Sequence, residues 1–121
     1  MRLGLFGGTF DPIHFGHLLV AEEVRIQLHL DEVVLIPTGQ PWMKVQRSLS
    51  PSKKRLDMVR IAVSRNPFFR ASSIEVDRPG PTYTVDTVRS FREGMQAEDE
   101  IYFIIGMDSL KSFHLWKDYL N

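Results

Sequence analysis

Apolar residues recur along this chain with two different periods. Leu3 to Phe6 is a short apolar run ending at Gly7-Gly8, and Glu32-Val33-Val34-Leu35-Ile36-Pro37 is a β-branched run stopped by proline. Both predict buried strands, because short continuous apolar runs bounded by chain breakers suit a sheet covered on two faces. Between them Leu18, Ala21, Val24 and Leu28 recur at helical spacing, with Glu22, Glu23 and Arg25 off that stripe. The opening unit is therefore strand, helix, strand.

The alternation continues. Ser50-Pro51 predicts an N-cap followed by proline at the first helical position, and Leu56, Val59 and Val63 supply the next apolar stripe. Asn66-Pro67 ends that helix. Phe69 to Val76 is expected as a third strand, with Ser72, Ile74 and Val76 on one face. Arg78-Pro79-Gly80-Pro81 is expected as loop, after which Val85, Val88 and Phe91 mark a helix ending near Gly94. Glu100 to Ile105 is the most strand-like run in the chain. It stops at Gly106, before Asp108-Ser109 and a helical pattern of Leu110, Phe113 and Leu120.

Strands alternating with helices predict an α/β fold: a Rossmann-like, doubly wound parallel sheet with right-handed crossovers and helices on both faces. In such sheets ligands lie beyond the carboxyl ends of the strands, where the winding direction reverses. The loops after the first and fourth predicted strands, Gly7 to His17 and Gly106 to Ser109, should flank that crevice.

Composition narrows the classes. The 121 residues suit one domain spanning 1–121, and the 15 Lys and Arg balance the 15 Asp and Glu, so no global field argues for a nucleic acid or other polyanion. Cysteine is absent, which excludes a disulfide framework and any cysteine-based zinc site and fits a reducing compartment. The cytoplasm is the default expectation. Met1 to Phe6 reaches Gly7-Gly8 and Asp11 too soon to form a signal-peptide core. Charged residues interrupt every apolar run before the roughly 20 residues needed to cross a membrane, so the protein is expected free in solution.

Gly7-Gly8-Thr9-Phe10-Asp11-Pro12-Ile13-His14-Phe15-Gly16-His17 is the most informative segment. Gly7 and Gly8 let backbone approach a ligand, and Thr9 adds a hydroxyl. His14 and His17 bring ring nitrogens to the N-terminus of a helix, whose dipole attracts anions. This is phosphate-binding chemistry suited to a triphosphate, although it matches neither the Gly-x-Gly-x-x-Gly dinucleotide fingerprint nor the lysine-containing P-loop. Two blander readings stand beside it. The glycines form a tight turn and the histidines only cap a helix, or the histidines ligate a metal, for which no third His or Cys lies nearby in sequence.

Residues Gly8 to His17 resemble the signature of the HxGH nucleotidylyltransferase superfamily, in which an adenylyl or cytidylyl group passes from a nucleoside triphosphate to a phosphate-bearing acceptor and pyrophosphate leaves. Three further segments resemble the bacterial nicotinate-mononucleotide adenylyltransferase family. They are Ile36-Pro37-Thr38-Gly39-Gln40-Pro41, Pro81-Thr82-Tyr83-Thr84-Val85-Asp86-Thr87, and Phe103-Ile104-Ile105-Gly106-Met107-Asp108-Ser109 followed by Trp116.

The resemblance implies an ATP and phosphate site at Gly7, Gly8, Thr9, Phe10, His14, His17 and Gly106, with His14 and His17 catalytic. It implies an acceptor site at Lys44, Tyr83, Thr84, Asp108 and Trp116. Tyr83-Thr84 lies where a loop enters a helix, so backbone N–H groups there suit the nicotinate carboxylate, while Trp116 offers a flat face for a pyridine ring. Trp116 also falls in helical register with Phe113 and Leu120 and reads equally as core, and Asp108 reads equally as a helix N-cap. No residue is assigned to a protein-held metal, and Mg²⁺ is expected to accompany ATP.

Two departures from the family pattern stand out. Where the family continues Pro-Pro-His-Lys, this chain has Pro41-Trp42-Met43-Lys44, keeping the lysine without the histidine. The sequence given also ends at Asn121, before the later strand and the arginine-bearing Ser/Thr-rich segment of the family, so it is read as a C-terminally incomplete, N-terminal portion. The expected reaction is AMP transfer from ATP to nicotinate mononucleotide in NAD biosynthesis. The competitors are another adenylyl or cytidylyl transferase, such as one acting on phosphopantetheine, and an inactive nucleotide-binding fragment. An unpaired strand edge in such a fragment would favour a homo-oligomer.

Overall fold

The computed structural model describes residues 1–41, 50–78, 81–82, 84–106 and 113–117. Strand β1 (Arg2–Gly8) is followed by helix α1 (Phe15–Leu28), strand β2 (Glu32–Pro37), the short β3 (Gln40–Pro41) and helix α2 (Ser52–Val63). Then come β4 (Phe69–Ala71), the single-turn α3 (Ile74–Asp77), β5 (Pro81–Thr82), α4 (Thr84–Glu93), β6 (Glu100–Gly106) and β7 (Phe113–Lys117). The main sheet has the order β4-β2-β1-β6-β7, and β3 pairs with β5 in a separate two-stranded sheet.

Three parallel pairings, β1 with β2, β1 with β6 and β2 with β4, form the body of the main sheet. The chain winds outward from β1 through β2 to β4, then returns across the sheet to place β6 on the other side of β1. The winding therefore reverses between β1 and β6, as the sequence pattern predicts, and both strands deliver their carboxyl ends there.

Side-chain alternation explains why helices cover both faces. Phe6, Val33, Leu35 and Ile104 pack with Ala21 of α1 and with Val59 and Val63 of α2. Their immediate neighbours Leu5, Val34, Ile36 and Phe103 point the other way, and Val88 and Phe91 of α4 join that second cluster. Val33, Val34, Leu35 and Ile36 are all buried, so β2 needs apolar residues at consecutive positions.

Four expectations change. The third strand stops at Ala71 instead of Val76: the Ser72 N–H makes the last ladder bond to the Leu35 carbonyl, and α3 follows. The Ile74 N–H then donates to Ser72 Oγ, and the Asp77 N–H donates to the Ser73 carbonyl. These local bonds give the two serines an alternative to the strand ladder.

The helix expected through Phe113 is a strand. Residues Phe113–Lys117 run antiparallel to β6, with Trp116 opposite Phe103, so tertiary pairing overrides the weak helical spacing. The sheet is thus parallel with one antiparallel edge. Leu110 and Leu120 lie outside the described residues.

Pro81, expected in a loop, belongs with Thr82 to β5. A two-residue strand has no periodicity to detect. Ser50 does not cap α2, whose cap position is Pro51 and lacks a side-chain cap bond. Ser50 is instead held through its backbone, its N–H donating to Asp11 and its carbonyl accepting from Arg55.

Candidate active site

The site is built on the turn that joins β1 to α1. At its start, a Cβ placed on Gly7 would lie 3.2 Å from Cζ of Phe103, and one placed on Gly8 would lie 3.3 Å from Cζ of Phe10. Both glycines let aromatic rings close over the strand end. Phe10 has φ 49°, a left-handed conformation uncommon for a bulky residue. Its ring holds that conformation in place: it is 2% exposed and meets Phe6 and His17 edge-on, with centroids at 5.5 Å and 5.1 Å. Phe10 is therefore a core anchor, and only its backbone is presented to the turn. The Asp11-Pro12 peptide is cis.

His14 occupies the N-cap of α1. Its Nδ1 accepts from the Gly16 N–H at 3.0 Å, while its own N–H donates to Nδ1 of His17 at 3.0 Å. The two residues thus form a reciprocal capping box in which both acceptors are imidazoles. A ring nitrogen that accepts a backbone hydrogen bond carries no proton, so in each neutral ring the proton sits on Nε2. The capping bonds therefore assign the tautomer and leave an N–H donor on the far edge of each ring.

The imidazoles lie side by side, with centroids 3.9 Å apart and planes inclined by 31°. His14 is exposed and His17 half-buried. Burial lowers the His17 pKa to about 4, and the neighbouring His14 pushes in the same direction. His17 is consequently neutral at physiological pH and acts as a hydrogen-bond donor without a positive charge. The capping and ligand readings from sequence are compatible, because they use opposite edges of the same rings.

The other expected residues are placed unevenly. Thr9 is exposed just beyond the end of β1, and Gly106 is the last residue of β6, one beyond the Ile105 that pairs with Gly7. Thr84 is the exposed first residue of α4, where backbone N–H groups lack helical partners. Trp116 is placed by its backbone on β7. Lys44, Tyr83 and Asp108 lie outside the described residues, so the ATP side of the expected site is brought together here and most of the acceptor side is not described.

Two residues with no role assigned from the sequence organise this turn. Arg55, from α2, is 1% exposed, and its guanidinium donates to the Ser50 carbonyl at 2.9 Å, the Thr9 carbonyl at 2.9 Å, the Gly39 carbonyl at 3.2 Å and Oγ1 of Thr38 at 3.3 Å. Asp11 accepts the Ser50 N–H at 2.9 Å. Burial lowers the Arg55 pKa, and the Asp11 carboxylate opposes that shift. A signal for Arg55 was available: it precedes Val59 by four residues and so shares the buried stripe of α2, where a cation requires partners.

Next to Gly39, Glu75 of α3 is buried and accepts from Oγ1 of Thr87 in α4 at 2.7 Å. Arg78 donates to the same hydroxyl at 3.1 Å. These bonds tie the start of α4 to the segment following β4.

A glycine-bearing turn, two imidazoles at a helix N-terminus and a winding reversal beside them match the outline drawn from sequence. The cytidylyltransferase-like family model matches residues 5–120. This chain belongs to that family. It is 48% identical over 116 residues to a probable nicotinate-nucleotide adenylyltransferase of Dehalococcoides mccartyi, covering 96% of this chain and 57% of the relative. A protein of the same description from Salinispora tropica is 49% identical over 112 residues, covering 93% and 60%. The chain therefore spans a little over half the length of these curated relatives.

Among solved structures, Plasmodium falciparum nicotinic acid mononucleotide adenylyltransferase complexed with NaAD superimposes with a TM-score of 0.64 at 17% identity, covering 88% of this chain and 51% of that one. This likeness establishes the shared fold. Among the described residues, no helix is long and apolar enough to cross a membrane.

Proposed function

We propose that this chain supplies the ATP-binding portion of a nicotinate-mononucleotide adenylyltransferase, which transfers AMP from ATP to nicotinate mononucleotide and releases pyrophosphate. The carrying observation is the pair of adjacent imidazoles whose Nδ1 atoms are held by the capping box, leaving Nε2–H donors at a helix N-terminus. The names of the curated relatives support the choice of acceptor.

In the proposed reaction an oxygen of the mononucleotide phosphate attacks the α-phosphorus of ATP in line. The bond from that phosphorus to the bridging oxygen breaks, and its electron pair leaves with pyrophosphate. No covalent enzyme intermediate is needed, so the protein contributes position and charge stabilisation. His14 and His17 donate from Nε2 to phosphate oxygens, and backbone at Gly7, Gly8, Thr9, Phe10 and Gly106 accommodates the nucleotide. ATP enters as its Mg²⁺ complex, with the ion held chiefly by phosphate oxygens and water.

The acceptor is assigned to Lys44, Tyr83, Thr84, Asp108 and Trp116, with the nicotinate carboxylate at the start of α4 and the pyridine ring on Trp116. The cytoplasm, which holds ATP, is the proposed compartment. Self-association through the edges of the sheet is part of the same proposal. The test is pyrophosphate release by the full chain with MgATP and a panel of acceptors. Nicotinate mononucleotide should be preferred, and a preference for phosphopantetheine would overturn the assignment.

A further inference from the structure

The strongest feature that the proposed reaction leaves unused is Arg55. Its guanidinium is nearly sealed from solvent, yet none of its four bonds serves α2, on which it resides. They reach three separate segments: Thr9 in the turn after β1, Thr38 and Gly39 after β2, and Ser50 before α2. Arginine suits this task because its planar fork presents five donors in fixed directions and stays charged. The cation is balanced locally by Asp11, which lies in the same turn as Thr9 and accepts the N–H of Ser50, the residue whose carbonyl Arg55 holds.

We infer that Arg55 is a positioning residue that locks the triphosphate-binding turn to the loop leaving β2, so that both move as one rigid piece. This inference rests on the proposed adenylyl transfer for its catalytic consequence, although not for its structural one. In the planar Thr9–Phe10 peptide the carbonyl faces Arg55, so the Phe10 N–H is turned to the opposite side. Arg55 thereby fixes the orientation of a backbone donor in the turn without touching a ligand. At its other end it holds the Thr38 hydroxyl and the Gly39 carbonyl, in the two residues before β3, and β3 pairs with β5 at the entrance to α4. A single side chain thus joins the turn bearing the histidines to the strand pair leading to Thr84.

Lysine at this position keeps the charge but has one nitrogen and cannot span three segments. The test compares Arg55→Lys and Thr38→Val with the unaltered full chain, by amide hydrogen exchange and by kinetics. The Thr38 N–H bonds to the Gly8 carbonyl and the Ser50 N–H to Asp11, so these two amides report the lock directly. In Arg55→Lys both should exchange at least tenfold faster, while the ladder amides of β1 and β2 keep their protection. In Thr38→Val the Thr38 amide should show a smaller acceleration.

With ATP and acceptor, kcat should fall about tenfold in Arg55→Lys at a temperature where the variant is still fully folded, and less in Thr38→Val. Uniform acceleration at every amide would make Arg55 a general stabiliser, and unaltered exchange at Thr38 and Ser50 would remove the lock; either overturns the inference. If Arg55→Lys fails to fold, Thr38→Val decides alone, and exchange equal to that of the unaltered chain would count against it. Exchange is measured without substrate, so a wrong acceptor assignment would not disturb this reading.

Discussion

His14 and His17 cap the same helix with the same ring atom: Nδ1 of each accepts a backbone N–H at 3.0 Å, and the two rings face each other at 3.9 Å. Capping and ligand binding are thereby divided between the two edges of an imidazole. Replacing His17 with Ala removes both. Loss of the cap should cost about 1 kcal/mol of stability, and loss of a phosphate donor should lower kcat by about 10²-fold. Melting and turnover measured on the same sample separate the two effects. Turnover equal to that of the unaltered chain would take His17 out of the mechanism.

The depressed pKa of His17 makes a pH prediction whose sign is fixed by linkage. An unfolded histidine titrates near its ordinary value of 6.5, and the folded one near 4. Between these values the unfolded chain binds more protons, so stability falls as pH drops through that window and is insensitive to His17 above it. A His17→Gln variant should show a flatter stability curve from pH 6.5 to pH 4. Nitrogen chemical shifts should report a proton on Nε2 of His17 throughout neutral pH. A ring that titrates near 6.5 would refute the assignment.

The main sheet was largely legible because its strands are buried on both faces. Val33, Val34, Leu35 and Ile36 cannot be accommodated in a solvent-facing element, and breakers mark their ends. The turn containing His14 and His17 was legible as a turn, since paired glycines end the first apolar run and the histidines stand just before the next apolar stripe. The strand containing Trp116 was not, because a short edge strand is selected by its neighbour β6 more than by its own spacing. Ser72 and Ser73 hid the end of β4 by bonding locally. Arg55 hid behind its charge: reading an apolar stripe passes over a cation, although an interrupted stripe is itself a sign of buried polar structure.

Phe10 connects stability with the shape of the turn. Its ring fills the space among Phe6, His17 and the end of β1 while its backbone holds a left-handed conformation. Truncation to Ala should cost about 3–5 kcal/mol, from lost burial and the cavity left behind. Denaturant unfolding measures it. A loss below about 1 kcal/mol would mean that the turn is held by other contacts.

Gly39 tests whether the loop after β2 is seated on backbone. A Cβ at Gly39 would collide with the carbonyl oxygen of Glu75, whereas a Cβ at Gly4, inside β1, would meet Cδ1 of Leu30 at 2.7 Å. A leucine methyl can swing to another rotamer, but a carbonyl in α3 moves only with its peptide. Gly39→Ala should therefore destabilise by about 1–3 kcal/mol, as overpacking does in a close-packed region, and Gly4→Ala by less. Because the Gly39 carbonyl also accepts from Arg55, the strained loop should release Thr38 as well, seen as faster exchange of its amide. Equal denaturation midpoints for the two variants, or a larger loss at Gly4, would show that the loop yields without disturbing α3.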